Sequence, residues 1–479
     1  MANILSASNS YKIDVPKLLL LNAILKEPEI IIEQSIEPRF YLKRYKWAEE
    51  SIAKNVFRLQ NDKKQLPFKL SYIDDAEKAC KVTYKPGQKK AFEFLSTTGI
   101  KVITGGPGTG KTTVMKGLIY VYKKMFPNNI ISLCAPTGKA AQRLEESTGK
   151  EASTVHKLLE FKPYGNNKVI AKDQNDPFTA HFLIMDESSM TDIELMALFL
   201  SAVKNNSLVI IVGDKDQLSS VGPGRVLSDF IDSNIIEICM LTDVMRQGEQ
   251  SSIVANAIKI NNGDTNLITD DSFQIFKVHN EHEAFLKLSE LAKIEYNHNK
   301  PFETQILAPA YKGEAGVTRI NETIQNMVSA DKEFIIYGKN KFCIKDKVMF
   351  LHNSYDNGYC NGDTGILVKI EPGELTIQTG KEQIIIPKSC LEDLTLAYAS
   401  TIHKSQGSET KCIILYMPEY PRILLKRKLV YTAITRAKEK VIIVTVNNAL
   451  DKAIINDREE PRHSGLLDLF KTYKLQSIA

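Results

Sequence analysis

ITGGPGTGKTT, residues 103–113, is the stretch from which the rest of this 479-residue chain is read. Within it Gly105, Gly110, Lys111 and Thr112 satisfy the P-loop pattern of glycine, four residues, glycine, lysine and serine or threonine. Such a loop turns backbone N–H groups inward around an anion, supplies an ammonium for terminal phosphates and offers a hydroxyl to magnesium. Residues 101–104, KVIT, read as the end of an apolar strand, and 114–122 as an apolar-periodic helix. The loop therefore lies between the strand and the helix N-terminus that phosphate binding requires. The implied ligand is a nucleoside triphosphate with Mg2+, cradled by Gly105, Gly106, Pro107, Gly108, Thr109, Gly110, Lys111, Thr112 and Thr113.

Length and composition bound what surrounds this loop. The chain predicts roughly three or four structural units, and its 43% hydrophobic content suffices for buried cores. No apolar run reaches the roughly 18 residues of a membrane span, and the first residues, MANILSASNSYK, lack a basic region followed by an apolar core. The expectation is a cytosolic, soluble, multidomain globular protein. Its seven cysteines stand singly, without Cys-x-x-Cys or nearby histidine pairs, so buried reduced thiols are expected rather than a metal or disulfide framework. A net charge of +5 permits nucleic-acid binding without arguing for it, because a local basic track matters more than a sum.

Further strands follow the loop. NIISLCAPTGKAAQRL carries a buried strand at 130–135, and HFLIMDESSM carries another that ends in Asp186 and Glu187. A strand ending in Asp-Glu after a P-loop suits a carboxylate on the magnesium shell, Asp186, beside one that activates the attacking water, Glu187. Magnesium would then be held by Thr112 and Asp186. A fourth strand, 208–212, runs into GDKDQLSSVGPG, where Gln217 is a neutral amide suited to sensing a γ-phosphate. Strands separated by helices, each delivering polar residues at its carboxyl end, predict an open parallel sheet.

The second half repeats the pattern. QILAP at 305–309, CIILY at 412–416 and VIIVTV at 441–446 predict further parallel strands. Arg246 in LTDVMRQ and Arg436 in YTAITRAK are two candidate cations for charge that builds on the γ-phosphate. Together they suggest a second lobe closing on the nucleotide bound by the first.

In order, GGPGTGKTT, APTGKAAQRL with ASTVHKLL, DESSM, GDKDQLSSVGPG, LTDVMRQ, YASTIHKSQGSE and YTAITRAK resemble the motifs of superfamily 1B helicases of the RecD-like branch, over about residues 84–446. The resemblance implies two RecA-like P-loop lobes of α/β class, with ATP and Mg2+ in the cleft. It assigns Gln88 to the adenine edge, Lys111 and Thr112 to phosphate and magnesium, and Asp186 and Glu187 to magnesium and water. Gln217 becomes the γ-phosphate sensor, Arg246 and Arg436 the arginine fingers, and Glu409 a ribose contact. Single-stranded or forked DNA would cross Pro136, Thr137, Lys139, Thr154 and His156 in one lobe and Thr401, His403, Lys404 and Ser405 in the other. Small hydroxyls and lysines suit phosphate contacts that position a strand without reading it. The resemblance further implies an ATP-dependent DNA helicase, 5′ to 3′, acting as a monomer with replication or recombination proteins. A motor subunit of a nuclease or relaxase complex, and an ATP-switched clamp without strand separation, remain as alternatives.

The domains expected are a helical region at 1–80, a first lobe at 81–235 and a second at 236–479. In the first, 158–179 contains a possible hairpin around Gly165-Asn166-Asn167, either a separation pin with Phe161 and Tyr164 as stacking residues or an ordinary surface hairpin. In the second, short strand-like runs at about 332–396 suggest a small antiparallel barrel, similar to the SH3-like insertion of the family. At the N-terminus, 15–25 and 46–59 read as helices.

Overall fold

The computed structural model describes residues 26–33, 39–164, 167–169, 172–243, 251–298, 302–329, 332–338, 340–354, 357–380, 382–421, 424–458 and 462–478. Its backbone is built around two parallel sheets. In the first, six strands lie in the order Glu237–Leu241, Gly99–Gly105, Leu208–Gly213, Phe182–Met185, Ile131–Ala135 and Ala152–Thr154. Register brings their carboxyl ends to one edge: Thr104 lies opposite Gly213, Met185 opposite Ile211, and Cys134 opposite Met185. The P-loop, Asp214, Asp186 and Pro136 therefore emerge in that order along one edge. Both faces are covered, because neighbours along a strand enter different cores. Val209 and Ile211 face one cluster with Ile52 and Phe230, while Ile210 and Val212 face another with Leu118 and Phe92. Continuous apolar strands of this kind are what a parallel sheet buried on both faces requires.

The second sheet has five parallel strands, in the order Phe273–Val278, Ala437–Val446, Thr410–Met417, Thr304–Ala308 and Ala399–Thr401. Ile413 and Leu415 face one core, Ile414 and Tyr416 the other. The three strands expected here are all present, and the last begins immediately after Arg436.

Between the strands Thr304–Ala308 and Ala399–Thr401 the chain forms a hairpin, Phe334–Tyr337 with Asn340–Cys343, and a five-stranded antiparallel sheet. That sheet runs Glu382–Pro387, Glu374–Thr379, Thr364–Ile370, Lys347–Phe350 and Leu394–Leu396, around its own core of Phe350, Leu367, Ile377 and Ile386. Its two outer strands are linked by the 3-10 turn Lys388–Asp393 and do not pair with each other among the described residues. The barrel expected from sequence is thus an open sheet by hydrogen bonding. Asp346 and Lys347 tie it to the lobe below. Asp346 accepts from Cys343 N at 2.6 Å and from Tyr398 Oη at 2.9 Å. The buried Lys347 donates to Thr304 O at 2.9 Å and Gln305 Oε1 at 3.0 Å.

Three segments depart from the sequence expectations, the first being the strand Glu237–Leu241, which pairs with Gly99–Gly105 in the first sheet although 236–479 was expected to form the second lobe. The N-terminal region is not wholly helical: Ile30–Glu33 pairs antiparallel with Arg39–Leu42 before the helix Lys43–Asn61. IIIE and RFYL are rich in β-branched and aromatic residues, which favour a pleated surface. The expected helix at 15–25 lies outside the described residues. The C-terminal helix Leu466–Ile478, expected within the second lobe, packs instead on the first sheet's helical layer. Leu466 and Phe470 are buried there, with the Phe470 ring 6.4 Å from Phe57 and 6.1 Å from Phe230.

Candidate active site

The P-loop leaves its strand at Gly105, where a Cβ would stand 2.7 Å from Leu241 O and 2.8 Å from Thr109 Oγ1. Only glycine fits that approach. Gly110, at φ 81°, turns the chain into the helix Lys111–Met125 and so aims the helix N-terminus back at the loop. Lys111 Nζ donates to Gly105 O at 2.5 Å and Gly106 O at 3.0 Å, folding over the loop it would share with phosphate. Gln88 is fully enclosed behind it. Its Oε1 accepts from Lys85 N at 3.0 Å and its Nε2 donates to Thr109 O at 2.9 Å, so here it braces the P-loop. An adenine edge reaches it only through the remaining amide hydrogen and lone pair.

Asp186 follows the strand Phe182–Met185, and burial beside Glu187 pushes its carboxyl up to about 6. Glu187 adopts φ 51°, a left-handed conformation uncommon for a residue with a Cβ, and its N–H donates to Asp186 Oδ1 at 2.8 Å. This turn points the two carboxylates to different neighbours. Such strain persists where surrounding contacts enforce it, and it concentrates at functional sites.

The second lobe completes the site. Arg436, 3% exposed, brings NH1 to 3.8 Å from Glu187 Oε1 and bonds Thr432 O through its Nε. On the helix Arg427–Ile434, which ends just before Arg436, Tyr431 Oη donates to Asp214 Oδ2 at 3.0 Å. Gln217 Nε2 donates to the same carboxylate oxygen at 3.2 Å, so the expected γ-phosphate sensor is held by a residue that also contacts the other lobe. Burial raises the Asp214 carboxyl, with Lys111 nearby partly opposing the shift. Glu409, assigned to ribose by resemblance, pairs here with Arg143 NH2 at 2.9 Å and Lys438 Nζ at 3.6 Å. Arg246 lies outside the described residues.

Sequence reading missed Arg143, Asp214 and Tyr431. Arg143 stands between Glu409 and Glu187, 3.9 Å from the latter, and also donates to Gly407 O at 3.2 Å. Its signal was available: it lies one helical turn after Lys139, on the helix Gly138–Thr148. Tyr431 lies on the helix Arg427–Ile434, five residues before Arg436, and Asp214 directly follows the strand end at Gly213. The residues present fit magnesium. Asp186 and Thr112 offer hard oxygen donors beside the P-loop, and the buried Ser188 Oγ next to the carboxylate pair has no protein partner. Among the described residues no group of three or more His, Cys, Asp or Glu could hold a metal ion by itself.

The expected DNA residues line the carboxyl edges of both sheets, and several serve local structure as well. Thr137 Oγ1 accepts from Ala140 N at 3.3 Å and Thr154 Oγ1 from Lys157 N at 3.1 Å, each capping a helix. Thr401 Oγ1 accepts from Lys404 N at 3.4 Å, and the buried Ser405 donates to Ile402 O at 2.7 Å. Pro136 is half-buried at the strand end. The His156 ring lies 5.0 Å from Phe161, which packs on the first core, and the Lys404 ammonium lies 5.6 Å over Tyr311. Burial lowers the His403 imidazole. The two lobes meet here too: a Cβ on Gly407 would lie 3.1 Å from Ala140 Cβ and 3.2 Å from Thr137 Oγ1. The turn at Cys360 of the inserted sheet leans on Gly138, whose Cβ would come 2.9 Å from Cys360 Sγ. Half-buried Lys139 sits beside that turn, its ammonium pushed down to about 8 by loss of solvent, with Asp363 partly opposing the shift. The hairpin Lys162–Tyr164 with Asn167–Val169 is present, while Gly165, Asn166 and the Tyr164 side chain lie outside the description.

The chain resembles known proteins over both halves. An AAA domain family matches residues 83–282, and a UvrD-like helicase C-terminal domain matches residues 396–444. The chain is 31% identical over 386 residues to the ATP-dependent RecD2 DNA helicase of Deinococcus radiodurans, covering 81% of this chain and 52% of that protein. It is 30% identical over 420 residues to the RecBCD enzyme subunit RecD of Mycobacterium tuberculosis, covering 79% of this chain and 72% of that protein. The chain thus spans about half the length of the first relative and nearly three quarters of the second. A Pif1 helicase from Bacteroides, solved with ADP-AlF3 and single-stranded DNA, superposes with a TM-score of 0.50 at 21% identity, covering 82% of this chain and 98% of that one. Among the described residues no helix is long and apolar enough to cross a membrane.

Proposed function

The chain belongs to the RecD-like helicase family, and on that premise we propose that it is an ATP-dependent DNA helicase moving 5′ to 3′ on single-stranded DNA. The observation that carries this reading is the cleft itself, where Arg436 of one lobe reaches within 3.8 Å of Glu187 of the other. A site assembled from two lobes turns over only when they close, and hydrolysis can then be coupled to lobe movement.

In this reading Lys111 and the N-terminus of Lys111–Met125 hold the β- and γ-phosphates. Thr112 and Asp186 hold magnesium, which neutralises charge on those phosphates. Glu187 orients the attacking water and takes its proton, and Arg436 stabilises the charge developing on the transferred phosphoryl group. Gln217, Asp214 and Tyr431 report the γ-phosphate to the second lobe. Arg246 is the second arginine finger of the proposal, and Glu409 binds ribose only after exchanging its Arg143 partner. DNA crosses the edge where Thr137 meets Gly407, so lobe movement displaces one set of phosphate contacts against the other. The hairpin at 162–169 separates strands, and the inserted sheet closes over the DNA near Lys139.

The test is ATP hydrolysis with and without single-stranded DNA, followed by unwinding of 5′-tailed and 3′-tailed duplexes. DNA-stimulated turnover with opening of the 5′-tailed substrate is expected. Equal hydrolysis in both conditions would overturn the motor. Stimulated turnover without unwinding would favour the ATP-switched clamp. The match to a RecBCD subunit motivates a second reading, a motor working beside a separate nuclease; co-purification with a nuclease distinguishes it.

A further inference from the structure

The segment 214–224, which follows the strand Leu208–Gly213, is held at both ends by residues from the last part of the chain. At its front, Leu218 N donates to Thr432 Oγ1 at 2.9 Å and Leu218 O accepts from Gln406 Nε2 at 3.0 Å. At its back, Arg462 grips the turn. Its NH2 donates to Ser220 O at 2.6 Å, and its NH1 is shared among Gly222 O at 2.7 Å, Gly224 O at 2.8 Å and Ser220 Oγ at 3.3 Å. A planar guanidinium can satisfy several converging carbonyls at once, which an ammonium cannot do in the same geometry.

This turn packs on Asp192 and Ile193, a few residues beyond the proposed catalytic carboxylates. Gly224, at φ 95°, would bring a Cβ to 2.9 Å from Ile193 Cβ, and a Cβ on Gly222 would lie 2.7 Å from Asp192 Cβ. Pro223 O accepts from Ile193 N at 3.1 Å. Asp192 caps the helix Ile193–Ala202 through Leu195 N at 2.9 Å. A single 3-10 turn, Ser188–Met190, separates that helix start from Glu187. Arg462 itself leads into the helix Leu466–Ile478, anchored on the first lobe by Gly465 N donating to Glu49 Oε1 at 2.9 Å and by Ser464 Oγ donating to Asp229 Oδ2 at 2.8 Å.

We propose that Arg462 is a positioning residue for hydrolysis: by clamping the Ser220–Gly224 turn it holds both the Gln217 segment and the base of the Asp186–Glu187 turn in their reactive arrangement. The inference rests on the ATPase reading above. Arg462 touches neither nucleotide nor the reacting atoms, so its loss acts on turnover rather than on ATP capture. Turnover at saturating single-stranded DNA is compared for the wild type, Arg462→Ala, Arg462→Lys and Arg39→Ala. Arg39→Ala removes the Arg39–Asp468 ion pair of 2.5 Å, on the same C-terminal helix but away from the turn.

Arg462→Ala is expected to lower kcat about tenfold, equivalent to about 1.4 kcal/mol, with KM for ATP changed less than about twofold. Arg462→Lys should fall between it and the wild type, and Arg39→Ala should match the wild type. Hydrogen exchange should rise at 218–224 and 187–193 in the alanine variant. Unchanged kcat, a raised KM at constant kcat, or an equal loss in Arg39→Ala would overturn the proposal. If Arg462→Ala does not fold, Arg462→Lys is read by the same criteria. If the wild type hydrolyses no ATP, the function proposed above fails, and exchange decides alone: unchanged protection at both segments overturns the clamp.

Discussion

At the scale of single residues the proposed base is Glu187, whose left-handed backbone and 3.8 Å approach to Arg436 place one carboxylate between two lobes. Glu187→Gln keeps the shape but removes the base. It is expected to lower DNA-stimulated ATP turnover by about 10²- to 10⁴-fold while leaving ATP binding intact, as read by steady-state kinetics beside nucleotide titration. Arg436→Ala should lower kcat by about 10³-fold or more. A milder effect, with kcat preserved, would make Arg436 a structural ion pair. Both residues were readable from the motifs as candidates. The Asp-Glu pair was legible because a strand ending in acids after a P-loop has few other uses, but Arg143, Tyr431 and Asp214 become visible only when distant segments meet.

At the scale of elements, the helix Lys111–Met125 shows how packing constrains the phosphate site. A Cβ on Gly117 would lie 2.6 Å from Phe92 Cζ and press on the Tyr84 ring, which itself packs on Phe92 at 4.8 Å. Gly117→Ala is therefore expected to destabilise the fold by about 1–3 kcal/mol through overpacking, lowering the thermal midpoint. An unchanged midpoint would mean that the aromatic pair yields freely. The hairpin Lys162–Tyr164 with Asn167–Val169 tests a different element. Replacing 162–171 by a short Gly-Ser link should abolish strand separation while sparing ATPase activity. Phe161 must be retained, because it packs on the core and against His156. Retained unwinding would reduce the hairpin to a surface turn.

At the scale of the whole molecule, polar contacts distributed along the cleft join the lobes. Arg143 with Glu409 at 2.9 Å is one of them, and Tyr431 with Asp214 at 3.0 Å is another. If Arg143 and Glu409 act as one latch, Arg143→Ala and Glu409→Ala should be non-additive in a double-mutant cycle of DNA-stimulated turnover, with a coupling of about 1 kcal/mol. Additive losses would show that the two act separately. The C-terminal helix adds a second link, since it leaves the second sheet and buries Leu466 and Phe470 in the core of the first.

The sequence by itself determined the two parallel sheets, the phosphate loop and the placement of Asp186 and Glu187, because these depend on local periodicity and on spacing within short motifs. It also located the inserted β structure, though not its open pairing. Only the tertiary structure decided which partners meet: Arg436 with Glu187, Gln88 behind the P-loop, Glu409 with Arg143, and Arg462 on the Ser220–Gly224 turn. The strand Glu237–Leu241 and the helix Leu466–Ile478 likewise joined the first sheet's layers from beyond its expected end. The physical reason is range. Strand and loop propensities act over a few neighbouring residues, whereas contacts across a cleft are fixed by the closing of the whole chain.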